Sequence, residues 1–250
     1  MYKTSIYFAC WLCLFLIISQ QTVNAQVDTL YVGAEFEHYD RLTEGQSTYI
    51  LYREAKDGSL MPFAMKRHII LNDGELLKVT QEEFGSSRKK TLETWLEPKK
   101  MTTKRHHRTT DGSLESYVYT DLIIRADSEL ESENAEFSLE LGEPTFNFEI
   151  DFEFMKVIPW ENFTKVAINF YHPGGKAPPQ YYMYTVEGEE DFELANGNRV
   201  STWKIFTDYN SGSKAWFWVS KSTGEVVKQM QDLTEQAGFK FIKLKTYPSN

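Results

Sequence analysis

The stretch "SKAWFWVSKSTGEVVKQ", residues 213–229, decides the fold. It has the composition of a β-strand followed by a tight turn at Thr223-Gly224 and the start of another strand. Successive strand side chains point to opposite faces. Trp216 and Trp218 therefore share one face, and Phe217 takes the other with Ala215 and Val219. A strand with one wet face alternates apolar with polar residues. This one is apolar on both sides, so both faces are expected to be covered, or one lines an apolar cavity.

The same reading extends outward. "NRVSTWKIFTDYNSGSKAWFWVSKSTGEVVKQ" resolves into three strands joined by tight turns, with Trp203, Ile205, Thr207 and Tyr209 on one face of the first. Phe239, Phe241, Ile242 and Leu244 supply a fourth near the C-terminus. Asp57-Gly58, Asp73-Gly74 and Asp111-Gly112 are hairpin dipeptides, since Asp and Gly tolerate positive φ. Between such turns lie short runs rich in β-branched and aromatic residues, such as "STYILYR", "TLETWL" and "TKVAINFY". Many short strands with regular turns indicate an antiparallel sandwich or barrel. Each large buried ring covers ~150–250 Å². A sheet carrying this many needs a thick core or a curved wall around a cavity.

The chain opens with Lys3, an apolar run over residues 8–18 and the small-residue site Val23-Asn24-Ala25. This reads as a secretory signal peptide over residues 1–25. The run is shorter than the ~20 residues a spanning helix needs. The competing reading is an uncleaved anchor. Cys10 and Cys13 both fall inside the signal, so the exported chain is expected to carry no disulfide, thiolate metal site or cysteine nucleophile. The expected location is the periplasm or the outside of the cell. Residues 26–250 then form a single β-rich domain, with a possible internal junction near residues 127–145. The net charge of −9 argues against general nucleic-acid binding.

Charge is unevenly placed. Residues 88–108 carry eight Lys or Arg against two Glu, whereas residues 127–153 carry ten acids and no base. Two readings stand: a basic strip for an anionic headgroup, or two segments that neutralise each other across the fold. In "TFNFEIDFEF", phenylalanines and Ile150 alternate with Glu149, Asp151 and Glu153, which is strand spacing with a solvated carboxylate face. Beyond Phe152 the segment can instead turn helical before Pro159. His106 and His107 are adjacent, so on a strand they diverge and make a poor metal pair. No nucleophile elbow, phosphate-cradling loop or calcium loop is present. No catalytic, cofactor or metal residue is assigned.

A family resemblance enters through Val186-Glu187-Gly188-Glu189-Glu190, through Gly197 followed by Trp203-Lys204, and through Trp218 with Lys221, Val227 and Lys228. "TWLEPKKMTTKRHHR", residues 94–108, adds a strand–turn–strand element. These resemble an exported bacterial domain family of unknown function, related to the LolA/LolB lipoprotein carriers. The resemblance implies a mainly β fold: an antiparallel sheet rolled into an open or half barrel, with one or two short helices or loops covering it. It implies an apolar cavity that in the carriers holds acyl chains. Cys10 and Cys13 fit the lipid anchor of the LolB type poorly, so a soluble form is expected.

The expectation is an exported, non-enzymatic protein binding an apolar or lipid-like ligand. Trp203, Ile205, Trp216, Phe217, Trp218, Phe239 and Phe241 are the candidate cavity wall. The alternative is a cell-envelope interaction module with a filled barrel, an envelope protein partner and no ligand.

Overall fold

A computed structural model of the chain describes residues 27–85, 87–194, 197–210 and 212–246. The signal-peptide reading, with Cys10 and Cys13, lies outside the described residues.

The chain is mainly β. Its first half forms β1 (Asp28–Leu30), β2 (Gly45–Glu54), β3 (Leu60–Asp73), β4 (Leu76–Phe84), β5 (Lys90–Glu97), β6 (Thr102–Thr110), β7 (Ser113–Tyr119), β8 (Ile123–Arg125) and β9 (Ser138–Glu140). The second half forms β10 (Phe146–Asn147), β11 (Lys165–Tyr171), β12 (Gln180–Glu193), β13 (Arg199–Thr207), β14 (Lys214–Ser220), β15 (Val226–Leu233) and β16 (Phe239–Lys245). Two short helices, α1 (Asp151–Val157) and α2 (Thr234–Ala237), interrupt this pattern.

One sheet holds all the strands, in the order β1-β11-β12-β13-β14-β15-β16-β2-β3-β4-β5-β6-β7-β8-β9, with β10 also beside β11. Among the described residues only β1 and β10 pair in parallel, and every other ladder is antiparallel. The two halves are joined by the pairing of β16 with β2, from Lys240 opposite Glu54 to Lys245 opposite Tyr49. The terminal strands do not meet, so the barrel is open. The sequence-derived turns hold: Asp111 (φ 52) and Gly112 (φ 91) both take positive φ and reverse the chain between β6 and β7.

The concave face is filled from both halves. Tyr49, Leu51, Leu77, Val79 and Leu96 pack in one cluster with Phe146, Phe154, Phe170, Ile205, Phe217 and Val219. A smaller cluster of Tyr117, Tyr119, Ile124, Leu141 and Tyr171 lies under the β7–β8 end.

Helix α1 is the centre of the main cluster, and here the strand reading of "TFNFEIDFEF" is corrected. Only Phe146–Asn147 is strand. The Asn147 side chain then accepts from the Glu149 N–H (2.9 Å), starting a 3-10 turn at Phe148–Ile150 that runs into α1. Pro159 disfavours helical backbone at the residue before it, and Ile158 is extended (ψ 128). Residues two apart on a helix point about 200° away from each other. Phe152 therefore packs on Tyr49, His68 and Phe217, whereas Phe154 packs on Phe36, Phe146 and Phe170. A helix buried on all sides has no single apolar stripe, so its sequence does not announce the helical period.

The opening strand has the predicted two covered faces. Phe217, Ala215 and Val219 point into the concave core. On the convex side Trp218 is 5% exposed, with the ammonium groups of Lys228 and Lys204 at 4.4 and 5.6 Å from its ring. Trp216 packs on Phe206 (5.3 Å) and donates Nε1–H to Glu187 (3.2 Å). Lysine stems lie on the rings while their charges reach water.

Candidate functional site

The seven candidate wall residues do not form one wall. Ile205 and Phe217 are fully buried in the concave core, and Trp203 packs against that core under the Lys221 ammonium (4.1 Å). Trp216 and Trp218 occupy the convex face. Phe241 packs on Phe63 (5.6 Å), and Phe239 lies under the Arg53 guanidinium (5.2 Å).

The convergent chemistry lies elsewhere, around the three carboxylates that the sequence placed on a solvated strand face. That reading is overturned: Asp151 is 9% exposed and Glu153 4%. The turn from Phe148 into α1 fans the three acids in different directions beneath the sheet. Glu149 accepts from Arg108 Nη2 at 2.9 Å and lies 3.9 Å from Lys90 Nζ. Glu153 meets His68 Nδ1 at 2.9 Å. Asp151 faces a cleft of about 390 Å³.

Phe148, Tyr182 and Tyr209 make the aromatic part of this cleft. His172 lies on Phe148, with ring centres 3.8 Å apart. Lys66 and Lys243 supply its positive charge, and Gln180, Gln229 and Gln231 supply amides. Lys66 stands opposite Tyr49 across the β2–β3 ladder, and Lys243 opposite Leu51 across β16–β2, so both leave the concave face. Among the described residues neither ammonium has a carboxylate oxygen within 4.0 Å. Lys243 Nζ instead lies 4.8 Å from the centre of the Phe152 ring.

Electrostatics follow from burial and this arrangement. Burial, and next the Lys66 charge, hold the Lys243 ammonium below the usual lysine range against the pull of Asp151 and Glu149. Burial raises the Asp151 carboxyl, although Lys243 and Lys66 draw it down. Burial also works to raise Glu149, but Lys90, Lys66, His106 and Arg108 together bring it to about 2. Glu149 links the cleft to an adjoining groove lined by Arg88, Lys90, Arg108 and Glu83. Cleft and groove together hold the cations Lys66, Lys243, Arg88, Lys90 and Arg108 against the acids Glu83, Glu149 and Asp151. On a chain of net charge −9 this is a local inversion of sign.

The charge asymmetry of the sequence resolves only in part into neutralisation across the fold, since Lys100 and Lys104 pair instead with Glu97 of their own segment. Arg108 binds Glu149, and Arg105 Nε lies 3.3 Å from Asp127. The histidine pair diverges as expected: His106 is buried on Thr94 (2.9 Å), and His107 packs on Trp95 (4.8 Å). Among the described residues no three or more His, Cys, Asp or Glu gather as a metal site. Among the same residues no helix is long and apolar enough to cross a membrane.

Sequence reading missed Lys66 and Lys243 and misplaced Asp151. One signal was present. In β16, Phe239, Phe241 and Lys243 share a face, so a lysine occupies a position that the period assigns to the core.

Known proteins place the chain in a family. The family model described as "Protein of unknown function (DUF3108)" matches residues 63–236, and the chain belongs to that family. No curated protein matches it. The crystal structure of the hypothetical lipoprotein YmcC from Escherichia coli (K12) aligns over 100% of both chains at 11% identity with a TM-score of 0.25, a superposition too loose to carry an argument.

Proposed function

We propose that this member of the DUF3108 family is an exported, non-enzymatic binding protein whose cleft takes the anionic end of an amphipathic, lipid-like ligand. The carrying observation is the pair Lys66 and Lys243, which face a cleft of about 390 Å³ with no carboxylate oxygen within 4.0 Å among the described residues. Two ammonium groups in a partly dry cleft gain most from an anion that enters with its own apolar part. Phe148, Tyr182 and Tyr209 offer that part a surface. The volume falls at the lower end of the roughly 300–1,000 Å³ of small-molecule sites. The excess of cations over acids at the mouth steers anions toward it. The signal-peptide reading and the LolA/LolB resemblance support export and a lipid-like ligand.

One observation favours a second reading, an envelope interaction module without a ligand. The concave face that the carriers keep open is packed here by Phe152, Phe154, Phe170 and Phe217.

Native mass spectrometry of the purified mature chain, followed by organic extraction, tests both. A co-purifying anionic amphiphile, bound at least tenfold more weakly by Lys66→Ala, supports the binding reading. A clean apo mass with no tryptophan fluorescence response to fatty acids or anionic lysolipids rejects it and leaves the module. Equal binding of an uncharged monoacylglycerol rejects the role of the lysine pair.

A further inference from the structure

Among the described residues, three amide–hydroxyl pairs stand in the lining of the cleft that holds Lys66 and Lys243. Gln180 Nε2 donates to the Tyr182 hydroxyl (2.8 Å), Gln231 Nε2 to Ser213 Oγ (2.8 Å) and Gln229 Nε2 to the Tyr209 hydroxyl (3.4 Å). Strand register sets the glutamines on the concave side. Gln229 stands opposite Phe217 and Lys243, and Gln231 opposite Ala215 and Phe241. Gln180 stands opposite Phe170, two residues before Tyr182 on the same face of β12. Phe217, Ala215, Phe170 and Tyr182 all belong to the concave core. The amides therefore occupy positions that the strand period assigns to apolar side chains.

An amide paired with a hydroxyl keeps both donor and acceptor capacity for a third group, whichever way the amide is turned. A sugar hydroxyl is itself a donor and an acceptor, so it matches such a pair. A plain acyl carboxylate has acceptors only and leaves the acceptors of the pairs unmatched. Asp151 makes the same distinction from the cleft wall: it repels a bare anion but accepts from hydroxyls. The rings of Phe148, Tyr182 and Tyr209 have their centres 5.5, 5.6 and 6.1 Å apart. Their negative faces suit the C–H face of a sugar ring. Glu149 is held by Arg108 (2.9 Å), so Lys66 and Lys243 are left facing Asp151 among the acids that line the cleft. Two ammonium groups against one carboxylate suit a ligand with one anionic group.

We propose that the anionic end this cleft takes is a sugar ring bearing one carboxylate or phosphate. The proposal rests on the cleft reading above and names the ligand class that reading leaves open. The lysine pair holds the charged group, the amide–hydroxyl pairs and Asp151 hold the ring hydroxyls, and the aromatic rings take the C–H face.

The test titrates the full mature chain with D-glucuronate, D-galacturonate and D-mannuronate, and with cyclohexanecarboxylate, which has a six-membered ring and the same charge but no hydroxyl. The readout is the Lys243 Cε resonance. The best hexuronate should bind about tenfold or more tighter than cyclohexanecarboxylate. Gln180→Met and Gln231→Met, folded as judged by circular dichroism, should each narrow that ratio by about threefold or more. Lys66→Ala should weaken all four acids. Cyclohexanecarboxylate binding as tightly as every hexuronate, or a ratio that neither glutamine variant changes, would overturn the sugar assignment and leave the anion reading standing. Hexuronate binding at full strength in Lys66→Ala would overturn the anionic part of the assignment, and no response to any of the four acids would overturn both readings. The octyl glycoside of the preferred hexuronate, kept below its micelle concentration, separates the two sources of such a group. Tighter binding than the free sugar acid assigns a lipid-borne headgroup. Equal binding assigns a free sugar acid and rejects the lipid-like part of the reading above.

Discussion

Arg108 Nη2 donates to Glu149 Oε1 at 2.9 Å, joining the C-terminal end of β6 to the turn that starts α1 across 41 residues of sequence. The same guanidinium donates to Glu115 (3.0 Å) and to the Pro173 carbonyl (2.7 Å). One arginine thus ties the basic strand, the acidic turn and the Gly/Pro loop after β11 into a single network. The cleft next to it depends on Glu149 being ionised and held.

Glu149→Gln should destabilise the fold by ~2–3 kcal/mol at pH 7. This is below the ~3–5 kcal/mol of a fully buried pair, since water still screens it; the two side chains keep 21% and 18% exposure. The folded-state carboxyl is depressed from 4.5 to about 2, so its contribution is complete above the ordinary carboxylate range and is lost as pH falls toward 2. Urea unfolding of wild type and variant at pH 7, 4 and 3 should show the gap closing. A gap that stays constant over that range would falsify the assignment.

Phe154→Ala should cost ~3–5 kcal/mol, the range for emptying a large buried aromatic site. Phe154 is fully buried, with Phe36, Phe146 and Phe170 all within 5.5 Å between ring centres. A loss below ~1 kcal/mol in chemical denaturation would mean that α1 does not hold the two halves together.

Gly224→Ala and Gly112→Ala form a matched pair. Both glycines have positive φ, 71° and 91°, which costs an L-residue about 1 kcal/mol. A Cβ at Gly112 meets nothing within 4 Å, whereas one at Gly224 runs into the Lys156 carbonyl oxygen at the end of α1. Thermal melts should show a loss at Gly224 larger by ~1–3 kcal/mol. Equal losses would place the β14–β15 turn away from α1.

The Lys243 ammonium should titrate below exposed lysines, and Asp151→Asn should push it lower still by removing a favourable negative charge. Between the depressed folded value and the ordinary lysine range, the unfolded chain binds more protons, so stability from this group rises with pH there. The Cε resonance of Lys243 reports the titration directly. A normal midpoint, or one raised by Asp151→Asn, would contradict the cleft electrostatics.

The sheet was legible in residues 213–229, because strand periodicity is local: two faces, two sets of side chains, a tight turn at each end. Apolarity on both faces correctly implied that both were covered. What covered the convex face was not legible, since the ammonium groups beside Trp218 come from Lys204 and Lys228 on the neighbouring strands. The carboxylate triad was misread for a related reason. Alternation of Phe with Glu or Asp is what a half-wet strand shows, and it is also what a short helix shows when every side is buried and the acids meet an arginine, a histidine and a polar cleft in turn.

From the sequence by itself came the mainly β class, the hairpin turns, the divergence of His106 from His107 and the charge segregation along the chain. Each of these depends on residues a few positions apart. Tertiary structure decided the pairing of β16 with β2, the burial of α1, the cleft around Lys66 and Lys243, and the His68–Glu153 dyad. Those depend on which distant strands become neighbours, because the cost of a buried charge is set by the groups that chain closure brings beside it.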